Sequence, residues 1–384
     1  MRPEGSFSLL ADGEREHLRA YRHQRIQDQM RKAGQDVVVV VGRYDAWQIG
    51  YLRYVADWRP WAGHGYAVFS ADGDATLVLP ARSQTHWAES GSWIDAIHAP
   101  DPIAVVAERV RQLGGGKTSL GVCGLDAIMP HAEVKALQAE FPDAEIFEAG
   151  PIIDRARAVK SNLEIRLMRE DAAAVQKAFE AFRGALRPGR SEWEVVGEAH
   201  RTMREQGGFD GIAHLSHGDL PFIHPPTSRP IHADDIVKFS IEYTGPHGYW
   251  TELAGIFSFS EPAPEVRRKH DTIRRAFDEA SSMMRPGVVG GEIIDRIHRV
   301  YQDDGWQIAD RGIWDVHGIG LDVIEWPTVL EGDPTILEEG MVLCLHPGLL
   351  IGEERWGVYI QDSFVVSQDG GQQLSTLTHD WIVI

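Results

Sequence analysis

At 384 residues, with 43% hydrophobic and 25% charged side chains, the chain has a globular composition and is too long for one ordinary core, so two domains are expected. A formal charge of −19 argues against a nucleic-acid surface, which needs clustered Lys and Arg, and no apolar run reaches the length of a membrane span. The only cysteines, Cys123 and Cys344, sit inside apolar runs, and the polar start from Met1 to Gly13 lacks a signal-like apolar core; both features predict a reducing, cytoplasmic setting.

The first half reads as alternating strands and helices. Residues 14–33 are a charged helix with Leu18, Tyr21 and Met30 toward one side, and Val37 to Val41 is an apolar run of buried-strand length. Tyr66 to Ser70 and Ala75 to Leu79 flank Ala71-Asp-Gly-Asp74, a hairpin signal, and Pro80 ends the second strand. Ser119 to Gly124, a helix near 131–141 and Ala144 to Ala149 complete an α/β layer. A break near Gly150-Pro151 divides the chain into residues 1–150 and 151–384.

After the break, Ser161-Asn-Leu-Glu164 is a capping box that opens a helix running to about Leu186. Pro188-Gly189 stops it, and Ser191-Glu-Trp-Glu194 caps a second helix with Trp193, Val196, Ala199 and Met203 on its apolar face. The pattern then recurs. Pro286-Gly287 ends another helix and precedes one with Ile293, Ile294, Ile297 and Tyr301 on one face, which predicts an internal pseudo-repeat. Strands are expected at 236–243, 249–259, 340–345 and 358–367.

Several segments carry a family resemblance by their order and spacing. They are Ile223-His224-Pro225, Asp235 to Glu242, Gly248-Tyr-Trp-Thr-Glu252, His317-Gly-Ile-Gly320-Leu321, Ile324-Glu325-Trp-Pro327, His346-Pro347-Gly348 and Gly357-Val-Tyr-Ile-Gln361-Asp362. Together they resemble the creatinase, prolidase and aminopeptidase P family. The resemblance implies an α+β protein: a pita-bread C-terminal domain with pseudo-two-fold halves, preceded by a smaller α/β domain. Metal-bearing members of that family hold two ions on two Asp, one His and two Glu. The matching positions here are Glu242, Glu252, His317, His346 and Gln361, and only His317 is unchanged.

The substitutions point away from a paired-metal centre. Asp to Glu moves a carboxylate by about 1 Å, against a ligand-distance tolerance of about 0.2 Å. Gln361 is neutral, and His346 cannot bridge two ions as a carboxylate does. The expectation is therefore a creatinase-type, metal-independent hydrolase with no cofactor, cleaving a C–N bond of a small guanidine, amidine or amide. The resemblance makes His224 the acid–base, in a His-Pro-Pro-Thr loop. Glu252 would anchor substrate or water, Glu242 would set the local charge, and His317 and His346 would polarise the reacting group or relay protons. The alternative is a single divalent ion on Glu242, Glu252, His317 and His346, serving an Xaa-Pro peptidase or a metal-dependent lyase. A third class is a non-catalytic binding protein. The family's second His, seven residues beyond His317, is Ile324 here.

Tyr249, Glu325 and Gln361 are candidate substrate contacts from the same motifs. In creatinase-like dimers the small domain reaches a partner's active site. The resemblance thus implies a homodimer, in which Trp58 and Trp61 could meet a small-molecule substrate by stacking or cation–π contact.

Overall fold

The structure, a computed structural model, describes residues 9–217, 223–306, 316–351 and 354–384. It divides into two compact units, Met1–Leu163 and Glu164–Ile384.

The first unit runs α1 (Asp12–Ala33), β1 (Val37–Arg43), α2 (Gly50–Ala56), β2 (His64–Ser70), β3 (Ala75–Leu79), α3 (Arg82–Gly91), β4 (Asp95–His98), α4 (Pro102–Gln112), β5 (Ser119–Cys123), α5 (His131–Glu140), β6 (Glu145–Glu148) and α6 (Gly150–Ala158). Its six strands form one sheet in the order β4-β3-β2-β1-β5-β6. The Val37–Val41 run is buried within β1, as a run apolar on both faces requires, and β2 and β3 pair as the expected hairpin. Helix α1 buries Leu18, Arg22, Ile26 and Met30, while Tyr21 is only half-buried and donates to the Val159 carbonyl at 3.0 Å.

The division falls at Leu163 and not at Gly150-Pro151, because α6 is bound into the first unit. The Arg25 guanidinium of α1 donates to the carbonyls of Ala156 at 3.1 Å and Arg155 at 3.2 Å, and Tyr54 Oη donates to Ala156 O at 2.9 Å.

The second unit continues α7 (Asn162–Ala185), α8 (Glu192–Glu205), β7 (Gly211–His217), β8 (Ile236–Thr244), β9 (Trp250–Ser258), α9 (Pro264–Ser282), α10 (Gly290–Asp303), β10 (Val316–Gly318), β11 (Glu325–Val329), β12 (Val342–Leu345), β13 (Gly348–Ile351), β14 (Glu354–Tyr359), β15 (Asp362–Val365), β16 (Gln372–Gln373) and β17 (Ile382–Val383). Strands β7, β8, β9 and β17 make one sheet, in the order β17-β9-β8-β7. A second sheet has the order β11-β10-β12-β15-β16, and β13 pairs with β14.

The two halves repeat each other in detail. Gly189 and Gly287 both turn the chain at φ 89° after a proline. Their amides donate to Ile231 O at 2.8 Å and Leu337 O at 2.9 Å, and isolated bridges follow at Ser191–Pro230 and Val289–Ile336. The capping box at Ser191 is formed, with Ser191 N donating to Glu194 Oε2 at 2.7 Å. One residue of α8 departs from expectation. Trp193 is 60% exposed, its indole donating to Pro226 O at 2.8 Å, and Glu192 takes the buried position instead.

Alternation along the first sheet sets up the site. Val237, Phe239 and Ile241 of β8 and Leu253 and Phe257 of β9 pack on α7 and α8, with Phe182 stacked on Phe239 at 3.7 Å between ring centroids. With a side-chain period of two, Ser240, Glu242 and Glu252 are left on the opposite face. The strand expected at 358–367 breaks at Ile360-Gln361, where Gln361 bridges to Ala254 of β9 and so brings its side chain to that face. Among the described residues, no helix is long and apolar enough to cross a membrane.

Candidate metal centre

The site is built from facing strands. Glu242 and Glu252 are directly opposed in the β8–β9 ladder, and His317 and Cys344 are opposed in the β10–β12 ladder, with His346 two residues beyond Cys344. One ligand atom from each of Glu252, His317, Cys344 and His346 lies within 4.8 Å of all the others.

The hydrogen bonds determine which atoms are available. Gln361 Nε2 and the Cys344 thiol, at 3.4 Å, both donate to Glu252 Oε2. Gln361 Oε1 in turn accepts from Ser240 Oγ at 3.1 Å and Tyr359 Oη at 2.5 Å. Both ends of the amide are therefore fixed, and Glu252 keeps Oε1, buried and without a hydrogen-bond partner. His317 Nδ1 lies 2.9 Å from Gly318 O. A carbonyl can only accept, so the proton sits on Nδ1 and the Nε2 lone pair, 3.6 Å from Glu252 Oε1, faces inward. The His346 ring lies 5.0 Å from that of His317, and its Nε2 is also buried and unpartnered.

Burial disfavours charge on every member of the set. It lowers His317 to about 4, against the pull of the Gly318 carbonyl, and it lowers His346 with help from His317. It raises Glu252, with Glu242 adding to the shift, and raises Glu242 to about 7. It also keeps Cys344 a thiol. Two neutral imidazoles present unshared pairs to this buried point, and the Glu252 carboxyl, whose proton an arriving cation would displace, presents its free oxygen there. Such a set matches a divalent transition metal in ligand type and tautomer.

Residues 166–368 match the family described as "Metallopeptidase family M24", and residues 22–159 match "Creatinase/Prolidase N-terminal domain". The chain belongs to metallopeptidase family M24. This M24 chain is 28% identical over 331 residues to "Probable dipeptidase PepE" of Mycobacterium tuberculosis, covering 83% of the chain and 84% of that protein. It is 25% identical over 312 residues to "Xaa-Pro dipeptidase" of Lactobacillus delbrueckii subsp. lactis, covering 78% and 82%. Its fold is that of the crystal structure of dipeptidase PepE from Mycobacterium ulcerans, with a TM-score of 0.80 at 25% identity over 96% of this chain and 98% of that one.

These findings overturn the metal-independent, creatinase-like C–N hydrolase expected from the sequence. That expectation compared each substitution with a two-ion template. The structure reveals that the same substitutions, His346 above all, converge with Glu252 and His317 on one point.

Other predicted residues lie elsewhere. His224 pairs with Leu215, so its ring falls on the helix-facing side of the sheet, beside His217 and Glu192, and it does not join Glu252. Glu325 accepts from Leu321 N at 2.8 Å and closes the turn that follows β10. Tyr249 is buried and donates to Glu164 Oε1 at 3.2 Å. In the first unit Trp58 is buried edge-on against Trp61, which is 43% exposed. The sequence reading missed Cys344, Ser240 and Tyr359 as parts of the centre. For Cys344 the signal was its spacing of two from His346, which places both on one face of a strand.

Proposed function

We propose that the chain is a peptidase acting on dipeptides, Xaa-Pro dipeptides included, with one divalent ion held by Glu252, His317 and His346. The observation that carries this reading is the convergence of one ligand atom each from Glu252, His317 and His346, with Glu252 Oε1 3.6 Å from His317 Nε2 and both Glu252 Oε1 and His346 Nε2 buried without a partner. The names of the relatives supply the substrate class. When bound, a divalent ion supplies Lewis acidity toward a peptide carbonyl and toward water.

The chain's own residues supply the rest. The Gly318 carbonyl fixes the His317 tautomer, and Gln361 orients the Glu252 carboxylate so that one oxygen points at the ion site. Glu242, opposite Glu252 on the same sheet face, is the carboxylate placed to take a proton from water and return it to the leaving amine. Gln361 and its partners Ser240 and Tyr359 occupy the side where a second ion would need a charged oxygen, which favours one ion over two. The proposal extends to a cytoplasmic homodimer, for which the buried thiols and the exposed Trp61 are the supporting features.

The test is metal analysis combined with hydrolysis of a dipeptide panel. The protein should retain Zn, Mn or Fe after dialysis, cleave at least one dipeptide, and lose turnover to a chelator and with Glu242→Gln. Turnover indifferent to chelator, or no turnover of any dipeptide by metal-loaded protein, would overturn the reading.

A further inference from the structure

A second cluster of unpaired donors lies on the other face of the first sheet. Glu192, the first residue of α8, is fully buried. Its Oε2 accepts from Thr227 N at 2.8 Å and Thr227 Oγ1 at 2.7 Å, which fixes the carboxylate plane. Its Oε1 has no hydrogen-bond partner and lies 3.4 Å from His217 Nε2, at the end of β7. His224 is held against β7 by paired backbone bonds to Leu215, of 2.7 and 3.1 Å. Its Nδ1 lies 2.7 Å from the Pro225 carbonyl, so Nδ1 carries the proton and the Nε2 lone pair is free. That Nε2 is buried and unpartnered as well. One ligand atom from each of Glu192, His217 and His224 lies within 4.8 Å of the other two.

An unpaired carboxylate oxygen and an unpaired imidazole nitrogen, buried side by side, are each costly to leave unsatisfied. A core carboxylate kept only for packing would turn both oxygens to donors. Here one oxygen is saturated by Thr227 and the other is aimed at two imidazoles. Arg229, whose charge also acts on Glu192 and His217, donates its hydrogen bonds to the Asp235 carboxylate instead, at 2.7 and 2.8 Å.

We propose that Glu192, His217 and His224 form a second divalent-cation site, separate from the Glu252 centre and structural in role. Both histidines present nitrogen, the carboxylate presents one oxygen, and the fourth position is open to water on the partly exposed histidine side. Tetrahedral zinc with bonds of about 2.0–2.1 Å places its ligand atoms about 3.4 Å apart. The Glu192–His217 spacing already has that value, and the third ligand, within 4.8 Å, needs a shift of at most about 1.4 Å. The ion ties the first turn of α8 to the end of β7 and to the segment bearing His224. It also commits the His224 ring to the helix side, away from Glu252.

The experiment uses full-length protein, stripped of metal and titrated with ZnCl2, with bound zinc and the zinc-induced rise in Tm both measured. His317→Ala/His346→Ala, which empties the Glu252 centre, should still bind one zinc per chain and still show a rise in Tm. Adding His217→Gln or Glu192→Gln to that variant should weaken the remaining zinc more than tenfold. Should those combinations fail to fold, Co2+ added to His317→Ala/His346→Ala should give the visible bands of a four-coordinate nitrogen and oxygen site. Absence of zinc, of the Tm rise and of the cobalt bands from His317→Ala/His346→Ala overturns the proposal, as does zinc that His217→Gln leaves unchanged. Failure of the peptidase reading is separable, since it would show as wild-type protein losing turnover or its first ion while this second zinc remains.

Discussion

Gln361 donates its side-chain amide to Oε2 of Glu252, and this one bond leaves a buried carboxylate with a single free oxygen. A carboxylate that bridges two ions through both of its oxygens would need Oε2, and here a neutral amide has taken it.

Changing Gln361 to Glu tests that relationship. The variant places a second carboxylate against Glu252 in a buried pocket, where like charges repel. The metal-free form should lose about 1–3 kcal/mol of stability through the lost hydrogen bond, measured by urea denaturation. With metal added, bound Zn or Mn should rise by one equivalent per chain relative to wild type, measured by elemental analysis.

The effect of His346→Gln should depend on the ion. Since His346 Nε2 has no partner, the metal-free variant should differ little in Tm from wild type. With ion at 100 times its Kd the wild type should gain about 2.7 kcal/mol, and the variant should gain much less. Equal stabilisation of the two proteins by metal would remove His346 from the ligand set.

The first sheet's position rests on aromatic packing. Phe182 lies flat on Phe239 and tilts against Phe257, in a core that also holds Phe179. Phe182→Ala should cost about 3–5 kcal/mol in denaturant unfolding of the second unit, and metal affinity should fall with it.

Acid should weaken the first unit through His23. Burial lowers its pKa below the ordinary 6.5, against the raising effect of the Val55 carbonyl, with Arg19 and Arg22 lowering it further. Between the folded and unfolded values the unfolded chain binds more protons, so this contribution is present above 6.5 and shrinks as pH falls through that window. The stability difference between wild type and His23→Gln, taken from urea denaturation at pH 7.5 and pH 5.5, should therefore narrow on acidification. A difference that stayed constant would contradict this account.

Most of the architecture was legible because it follows from local rules. The Val37–Val41 run, the Ala71–Asp74 hairpin and the two Pro-Gly turns each bind a residue type to a backbone requirement. Glu252, His317, His346 and Gln361 were legible as a set from motif order, and strand alternation explains why Glu242 shares a face with Glu252. Three things were not legible. The facing of His224 depends on a two-bond bridge to Leu215, which no local pattern announces. The buried face of α8 starts at Glu192 and not Trp193, because Thr227 and His217 receive the carboxylate while the indole finds Pro226 at the surface. The function expected for the centre failed for a related reason. Each replaced ligand looked like a loss in isolation, and only three-dimensional convergence shows that they compose a different donor set.

The duplicated Pro-Gly turns mark two copies of one scaffold, and the copies have divided the chemistry between them. The first contributes its acidic partners from β8 and β9, the second its imidazoles from β10 and the end of β12. Neither copy holds the whole candidate centre, and the bridge between Ala254 and Gln361 joins the two copies beside it. A cation at this candidate centre would be held by both copies at once, so its binding would depend on how the two copies pair.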